Sequence, residues 1–147
     1  GADTVRVKQL FSNSMEDYHL RNAVTASFDT YRGCAIAIAD IESEDIRVIA
    51  SQAADELLNI SGIRASYVLY RTEDVVNISA RSMGAMNVQL IMEMLGGGGH
   101  QTMAAAQLKN VSVSEAKVRL LQGIDQFYAQ MNTPVENPDE QAGRNLE

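Results

Sequence analysis

Apolar positions along this 147-residue chain change period several times, and each change marks an element. Cys34 to Ala39 is apolar on both faces and stops at Asp40, as a strand buried in the middle of a sheet requires. Ser43-Glu44-Asp45 then opens a helix in which Ile46, Ile49, Ala50, Ala53 and Leu57 recur at helical spacing, with Gly62 as its stop. Ala65 to Arg71 and Val75 to Arg81 read as two strands of a hairpin around Thr72-Glu73-Asp74. Asn87 caps a helix that carries Val88, Ile91, Met92 and Leu95 on one face, and Gly96 to Gly99 end it. Met103 to Lys109 is a further strand. Ser112-Val113-Ser114-Glu115 fits a capping box, and the closing helix shows Ala116, Leu120, Ile124, Phe127 and Met131 as its stripe.

The first thirty residues read as helical. Val5, Leu10 and Phe11 belong to a short opening segment; Ser14 caps a second helix with Glu16 and Asp17 in its first turn, and Gly33 closes the region. From Asn132 the chain is polar, contains Pro134 and Pro138, and has no period, which predicts a loose tail. Its last two residues, Leu146-Glu147, are of the kind a cloning site leaves. The order αα-β-α-ββ-α-β-α predicts a single α/β domain, a mixed β-sheet with flanking helices.

Composition narrows the function classes. Apolar residues make up 46% and charged residues 21%, the balance of an ordinary globular domain. The net charge of −7 argues against sequence-blind binding to duplex DNA, which needs a broad basic surface, but tolerates a small anion held by a few focused groups. No apolar run approaches the ~20 residues of a membrane span, and no signal-peptide core is present near Gly1. The single cysteine, Cys34, has no internal partner and no flanking charge, so it reads as a buried structural thiol in a reducing compartment.

Four consecutive glycines, Gly96 to Gly99, followed by His100 are the candidate chemistry. Each glycine loses more backbone entropy on folding than any other residue, so the run needs a reason. A flexible linker is the plain reading, yet the strand, helix and tail after Gly99 are too short to be a second domain. The alternative is bare backbone that lets an anion approach amide groups. The run follows a helix and precedes a strand, the reverse of a P-loop or dinucleotide fold, so loop amides would hold the anion without a helix N-terminus. Extra donors are then needed. His100 ends the run, and Arg81 closes a strand face shared by Asn77 and Ser79, opposite Val76, Ile78 and Ala80. The plain reading of Arg81 is a solvated strand face. Metal-ligand motifs are missing: His19 sits on a helical pattern, and neither histidine belongs to a metal-type spacing.

Asn77-Ile78-Ser79-Ala80-Arg81-Ser82, then Asn87-Val88, then Gly96-Gly97-Gly98-Gly99-His100 with Ala104-Ala105-Ala106, resembles the DHHA1 domain. That domain is the C-terminal partner of DHH phosphodiesterase domains in RecJ-type exonucleases and nanoRNases. The stretch from Asn77 to Leu108 with the closing helix is more similar to membrane-anchored cyclic-di-AMP phosphodiesterases, in which a GGDEF-like domain precedes DHH and DHHA1. The resemblance implies that residues 1–31 are connecting helices after an absent DHH domain, that 32–131 are a DHHA1-like substrate-binding domain, and that 132–147 are a flexible tail. It implies Mn²⁺ in the absent DHH domain and no cofactor in this fragment. Arg81 and Ser82 would contact phosphate, Gly97, Gly98 and Gly99 would offer backbone donors, and His100 would bind phosphate or developing charge. No catalytic residue would lie within the fragment. The implied partners are cyclic-di-AMP or a linear dinucleotide, the DHH domain of the same chain, and in some settings a second copy. The fragment would be cytoplasmic without touching the membrane, its parent anchored in the bacterial plasma membrane. Many DHHA1 domains have Ala-Ala-Gly after the histidine where this chain has Ala104-Ala105-Ala106, whose extra methyl narrows the pocket. A nucleic-acid-binding module of an exonuclease and a purely structural or dimerisation domain are the other classes to separate.

Overall fold

The structure, a computed structural model, describes residues 15–132. The expectations for Val5, Leu10, Phe11, the Ser14 cap and most of the polar tail lie outside these residues. In chain order the elements are α1 (residues 15–26), β1 (Asp29–Tyr31), β2 (Cys34–Ala39), α2 (Ile46–Leu58), β3 (Ala65–Thr72), β4 (Val75–Ser82), α3 (Val88–Met94), β5 (Gly98–Gly99), β6 (Met103–Lys109) and α4 (Val113–Asn132). The strands form one mixed sheet in the order β1-β2-β3-β4-β6-β5. Only β2 and β3 run parallel, joined by the crossover through α2; every other neighbouring pair is antiparallel.

Each face of the sheet has its own core. Alternation along β4 sends Val76, Ile78 and Ala80 to one face, where they meet Tyr67, Leu69, Ala104 and Ala106 and the apolar stripes of α3 and α4. The opposite face packs Ala35, Ala37, Ala39, Val68 and Tyr70 against α2 and Val24 of α1. Helix α2 lies over β3 and β4 more than over β2. Of the α4 stripe, Ala116, Leu120, Ile124 and Phe127 are buried, whereas Met131 is 62% exposed near the helix end.

Two strands depart from the helical and loop readings. Asp29–Tyr31 is strand where helix was expected, turning into β2 through Arg32 (φ 50) and Gly33 (φ 81). Two consecutive residues in the left-handed region suit the twist of a tight hairpin. This hairpin is fastened to α4: the Tyr31 hydroxyl donates to both Asp125 carboxylate oxygens at 2.8 and 2.9 Å, and Arg32 Nη1 donates to Asp125 Oδ1 at 2.9 Å. The Arg32 guanidinium lies 4.4 Å from the centre of the Tyr128 ring. Hydrogen bonds from Arg32 and then Tyr31 hold the Asp125 carboxyl below its ordinary value, and the same contact pushes the Tyr31 phenol up. The second departure is β5, a two-residue strand made only of glycine.

Helix starts also differ in detail. Asp45 is the N-cap of α2 but makes no side-chain cap bond; the Ser43 hydroxyl instead accepts from Asp45 N at 3.1 Å. Helix α2 stops at Leu58 with Asn59 as C-cap, before Gly62. The Ser112 hydroxyl accepts from Glu115 N at 3.0 Å, while the Glu115 carboxylate pairs with Arg119 rather than reaching back, so only half of the capping box forms. Cys34 is fully buried beside Met86, whose sulfur also accepts from the Tyr67 hydroxyl at 3.2 Å. Burial pushes the Cys34 thiol up to about 11, as an inert structural thiol requires.

Candidate functional site

The glycine run is a different structure at each of its four positions. Helix α3 ends at Leu95, and Gly96 follows with φ 85. Gly96 N donates to Glu93 O at 3.1 Å and Gly97 N to Met92 O at 2.7 Å. Those two bonds are the Schellman closure of a helix, for which the first residue past the cap must be left-handed. Gly97 then lies so close to β6 that a Cβ would sit 2.1 Å from Ala105 O and 2.6 Å from Ala106 Cα. Gly99 has φ 143, and its Cβ would lie 2.6 Å from Ala104 Cα. Gly96 and Gly98 both have open space where a side chain would stand, but only Gly98 of the run combines it with a backbone that is not left-handed. The fold demands glycine at 96, 97 and 99. It does not demand one at 98.

The ladder decides which amides are available. His100 N donates to Met103 O at 2.6 Å, and Gly98 and Gly99 are in register with Ala105 and Ala104. Hydrogen-bonded and non-bonded pairs alternate in an antiparallel ladder, so Gly98 bonds Ala105 and the Gly99 N–H turns outward. The three donors expected at Gly97, Gly98 and Gly99 are therefore not equivalent. Gly97 is committed to the helix end and Gly98 to β6. Gly99 keeps the outward amide.

Register also places Arg81 and His100. Arg81 is opposite Met103, whose carbonyl receives the His100 amide, so the three residues form one row across β4, β6 and the end of β5. Two strand spacings separate the Arg81 and His100 backbones, roughly 10 Å. The next row but one holds Ser79, Ala105 and Gly98. Helix α2 covers the sheet as far as β4, beyond which Met103, Ala105 and Gln107 are exposed on β6. Arg81 sits at that boundary. It is not on a solvated face: its side chain is 11% exposed, Nε donates to Asp55 Oδ1 at 3.0 Å and Nη1 to Ala80 O at 2.9 Å. A shallow cleft of about 240 Å³ runs along the same sheet edge, lined by Gly96, Gly97, Ala105, Ala106 and Gln107.

Ser82 and Gln101 brace the turn that carries His100. The Ser82 hydroxyl donates to Gln101 O at 3.1 Å, and Ser82 N to Thr102 O at 3.0 Å. Gln101 O also accepts from Val88 N, the first residue of α3, and Gln101 Nε2 donates to Gly84 O. Asn87 caps α3 as expected, its side chain accepting from Gln89 N and Leu90 N. The Ser82 hydroxyl, expected on phosphate, is thus engaged in holding the loop. The His100 imidazole is exposed and makes no hydrogen bond or ion pair among the described residues. Sequence reasoning missed Asp55 and Gln101. Asp55 lies 26 residues before Arg81 on another element, and no local pattern marks that pairing.

The DHHA1 domain model matches residues 33–130, from the second residue of the hairpin turn almost to the end of α4. The chain belongs to the DHHA1 domain family. This DHHA1 chain is 43% identical over 130 residues to the cyclic-di-AMP phosphodiesterase PdeA of Listeria monocytogenes, covering 87% of the chain and 20% of that protein. It is 46% identical over 131 residues to the cyclic-di-AMP phosphodiesterase GdpP of Geobacillus thermodenitrificans, with the same coverage. It therefore spans about a fifth of the length of these relatives. Among solved structures, an exopolyphosphatase-related protein from Bacteroides fragilis superposes with a TM-score of 0.66 at 18% identity, covering 80% of the DHHA1 chain and 36% of the other, a likeness of fold. Among the described residues no group of three or more His, Cys, Asp or Glu could hold a metal ion. No helix among them is long and apolar enough to cross a membrane.

Proposed function

We propose that this DHHA1 domain is the substrate-binding half of a cyclic-di-AMP phosphodiesterase, gripping the phosphate of a cyclic or linear dinucleotide. The observation that carries the reading is the row of Arg81, Met103 and His100 beside Gly98, the one glycine of the run whose missing side chain the fold does not explain. Arg81 supplies a fixed positive charge at the sheet face, the Gly99 N–H an outward donor, and His100 a second polar group at the turn. Ser82 and Gln101 position that turn. Similarity to PdeA and GdpP supports the dinucleotide as ligand.

In this reading the parent is a membrane-anchored protein with this domain on its cytoplasmic side. A DHH domain of the same chain closes over the exposed face of β6 and carries the Mn²⁺, and homodimerisation is compatible with the arrangement. When bound there, the metal would supply the activated water. This domain's own residues bind and orient the phosphate and exclude solvent from it.

Calorimetric titration with cyclic-di-AMP, linear pApA and a decanucleotide tests the proposal. Dinucleotides should bind without any gain from the longer strand. Arg81→Ala and His100→Ala should each weaken binding about ten- to a hundredfold, the loss of a charge-assisted hydrogen bond of about 1.5–3 kcal/mol. Tighter, strongly salt-dependent binding of the decanucleotide would instead support a nucleic-acid module, which the net charge of −7 opposes.

A further inference from the structure

Arg81 and Asp55 form an unequal ion pair. The arginine side chain is 11% exposed and is tied down a second time, through Nη1, to Ala80 O. The aspartate side chain is 61% exposed and reaches Arg81 through one oxygen only. Of the two, Asp55 is the partner that can swing away, because it leaves toward solvent while Arg81 stays fixed. Among the described residues Arg81 Nη2 makes no hydrogen bond. A phosphate that binds the guanidinium side-on uses Nε and Nη2 together. Asp55 Oδ1 now stands at the Nε half of that edge.

We infer that Asp55 is an internal counter-ion of the phosphate site, holding Arg81 in place without ligand and being displaced by the incoming phosphate. The inference rests on the reading of Arg81 as a phosphate contact. It adds a residue on α2 that acts through Arg81, a positioning residue rather than a ligand contact. The exchange of one anion for another keeps the buried guanidinium neutralised throughout, so it is never left as an unpaired buried charge. It also sets a threshold: an anion must bind Arg81 better than a tethered carboxylate does. A phosphate can, because two of its oxygens match the fork of donors, whereas Asp55 engages only one.

The test is a ¹H–¹⁵N NMR titration of the chain with pApA, reading the Arg81 Nε–H resonance in the wild type, Asp55→Asn, Asp55→Ala and Arg81→Gln. The amide of Asp55→Asn still offers an oxygen to Nε but no charge. This variant should therefore tighten pApA binding by about two- to fivefold, the factor carried by a partly exposed ion pair. Its backbone spectrum should keep the wild-type dispersion. Asp55→Ala should bind at least as tightly as the wild type, with Arg81 Nε–H exchanging faster with solvent in the free protein. Arg81→Gln should lose binding, followed through Gly98 to His100. Binding that is unchanged or weaker in Asp55→Asn, with Arg81→Gln still defective, overturns the counter-ion and leaves the phosphate contact standing. If pApA shifts neither Arg81 nor Gly98 to His100, or if Arg81→Gln binds normally, the phosphate contact itself fails and the counter-ion with it.

Discussion

Replacing each glycine of the run with alanine should separate stability from binding. At Gly97 the new Cβ would overlap Ala105 O and Ala106 Cα, both backbone atoms of β6 that cannot rotate aside. Overpacking of this kind costs about 1–3 kcal/mol, and a backbone obstacle puts Gly97→Ala toward the upper end. Gly99→Ala adds strain at φ 143 to an overlap at 2.6 Å, together about 2–6 kcal/mol. Gly98→Ala meets nothing within 4 Å and has no left-handed backbone to strain. It should be neutral or stabilising by about 0.4–1 kcal/mol, because alanine restricts the unfolded chain. At roughly 3–6 °C per kcal/mol for a domain of this size, thermal unfolding resolves the three variants. The same Gly98→Ala protein should bind pApA at least tenfold more weakly, since its methyl group would project from the exposed face beside Ala105. A Gly98→Ala chain that melts well below the wild type, or a Gly97→Ala chain that does not, would refute the division of the run. Full binding by a stable Gly98→Ala chain would remove the ligand as the reason for that glycine.

Asn87→Ala should lower stability by about 1 kcal/mol through loss of the α3 cap, seen in denaturant titration. Because Val88 N is tied to Gln101 O, the same change should broaden the NMR signals of residues 100–102. The Asp125 contacts make a pH prediction with a definite sign. Its lowered carboxyl contributes stability above the unfolded value that is lost as pH falls through the folded one, so Tyr31→Phe should flatten the acid limb of stability against pH. The raised Tyr31 phenol works in the opposite direction: its share is present below the unfolded value and lost as pH rises through the folded one. Cys34, with its thiol pushed up to about 11, should resist iodoacetamide at pH 8 in the native protein and react promptly in denaturant, as mass spectrometry would record.

Strands with a continuous apolar or alternating pattern were legible in the sequence: β2 and β6 to the residue, and β3 and β4 to within one residue. The Asn87 cap was equally legible, because its chemistry is local. Asp29–Tyr31 was not, since three residues on a sheet edge with mostly exposed side chains carry no period. Nor was Gly98–Gly99, because a glycine strand has no side-chain pattern and exists only through its pairing with β6. Within the candidate site, Arg81 was found from its place at the end of a polar strand face. Its burial was not foreseen, because burial depends on α2 crossing over β4 with Asp55 on the near side. Which glycine amides face outward was also beyond local pattern, being set by ladder phase and the closure of α3.

Both margins of the sheet are short: three residues at β1 and two at β5. A free strand margin is a template for addition of another strand, and brevity is one way to deny it. Here neither margin is long enough to guide a foreign strand into register over more than one hydrogen-bonded repeat. Brevity of this kind disfavours edge-to-edge pairing through β1 and β5 themselves. Under the proposed arrangement, a DHH domain that met this one flat, through the uncovered side of β6, would let a hinge open and close without breaking a single backbone ladder.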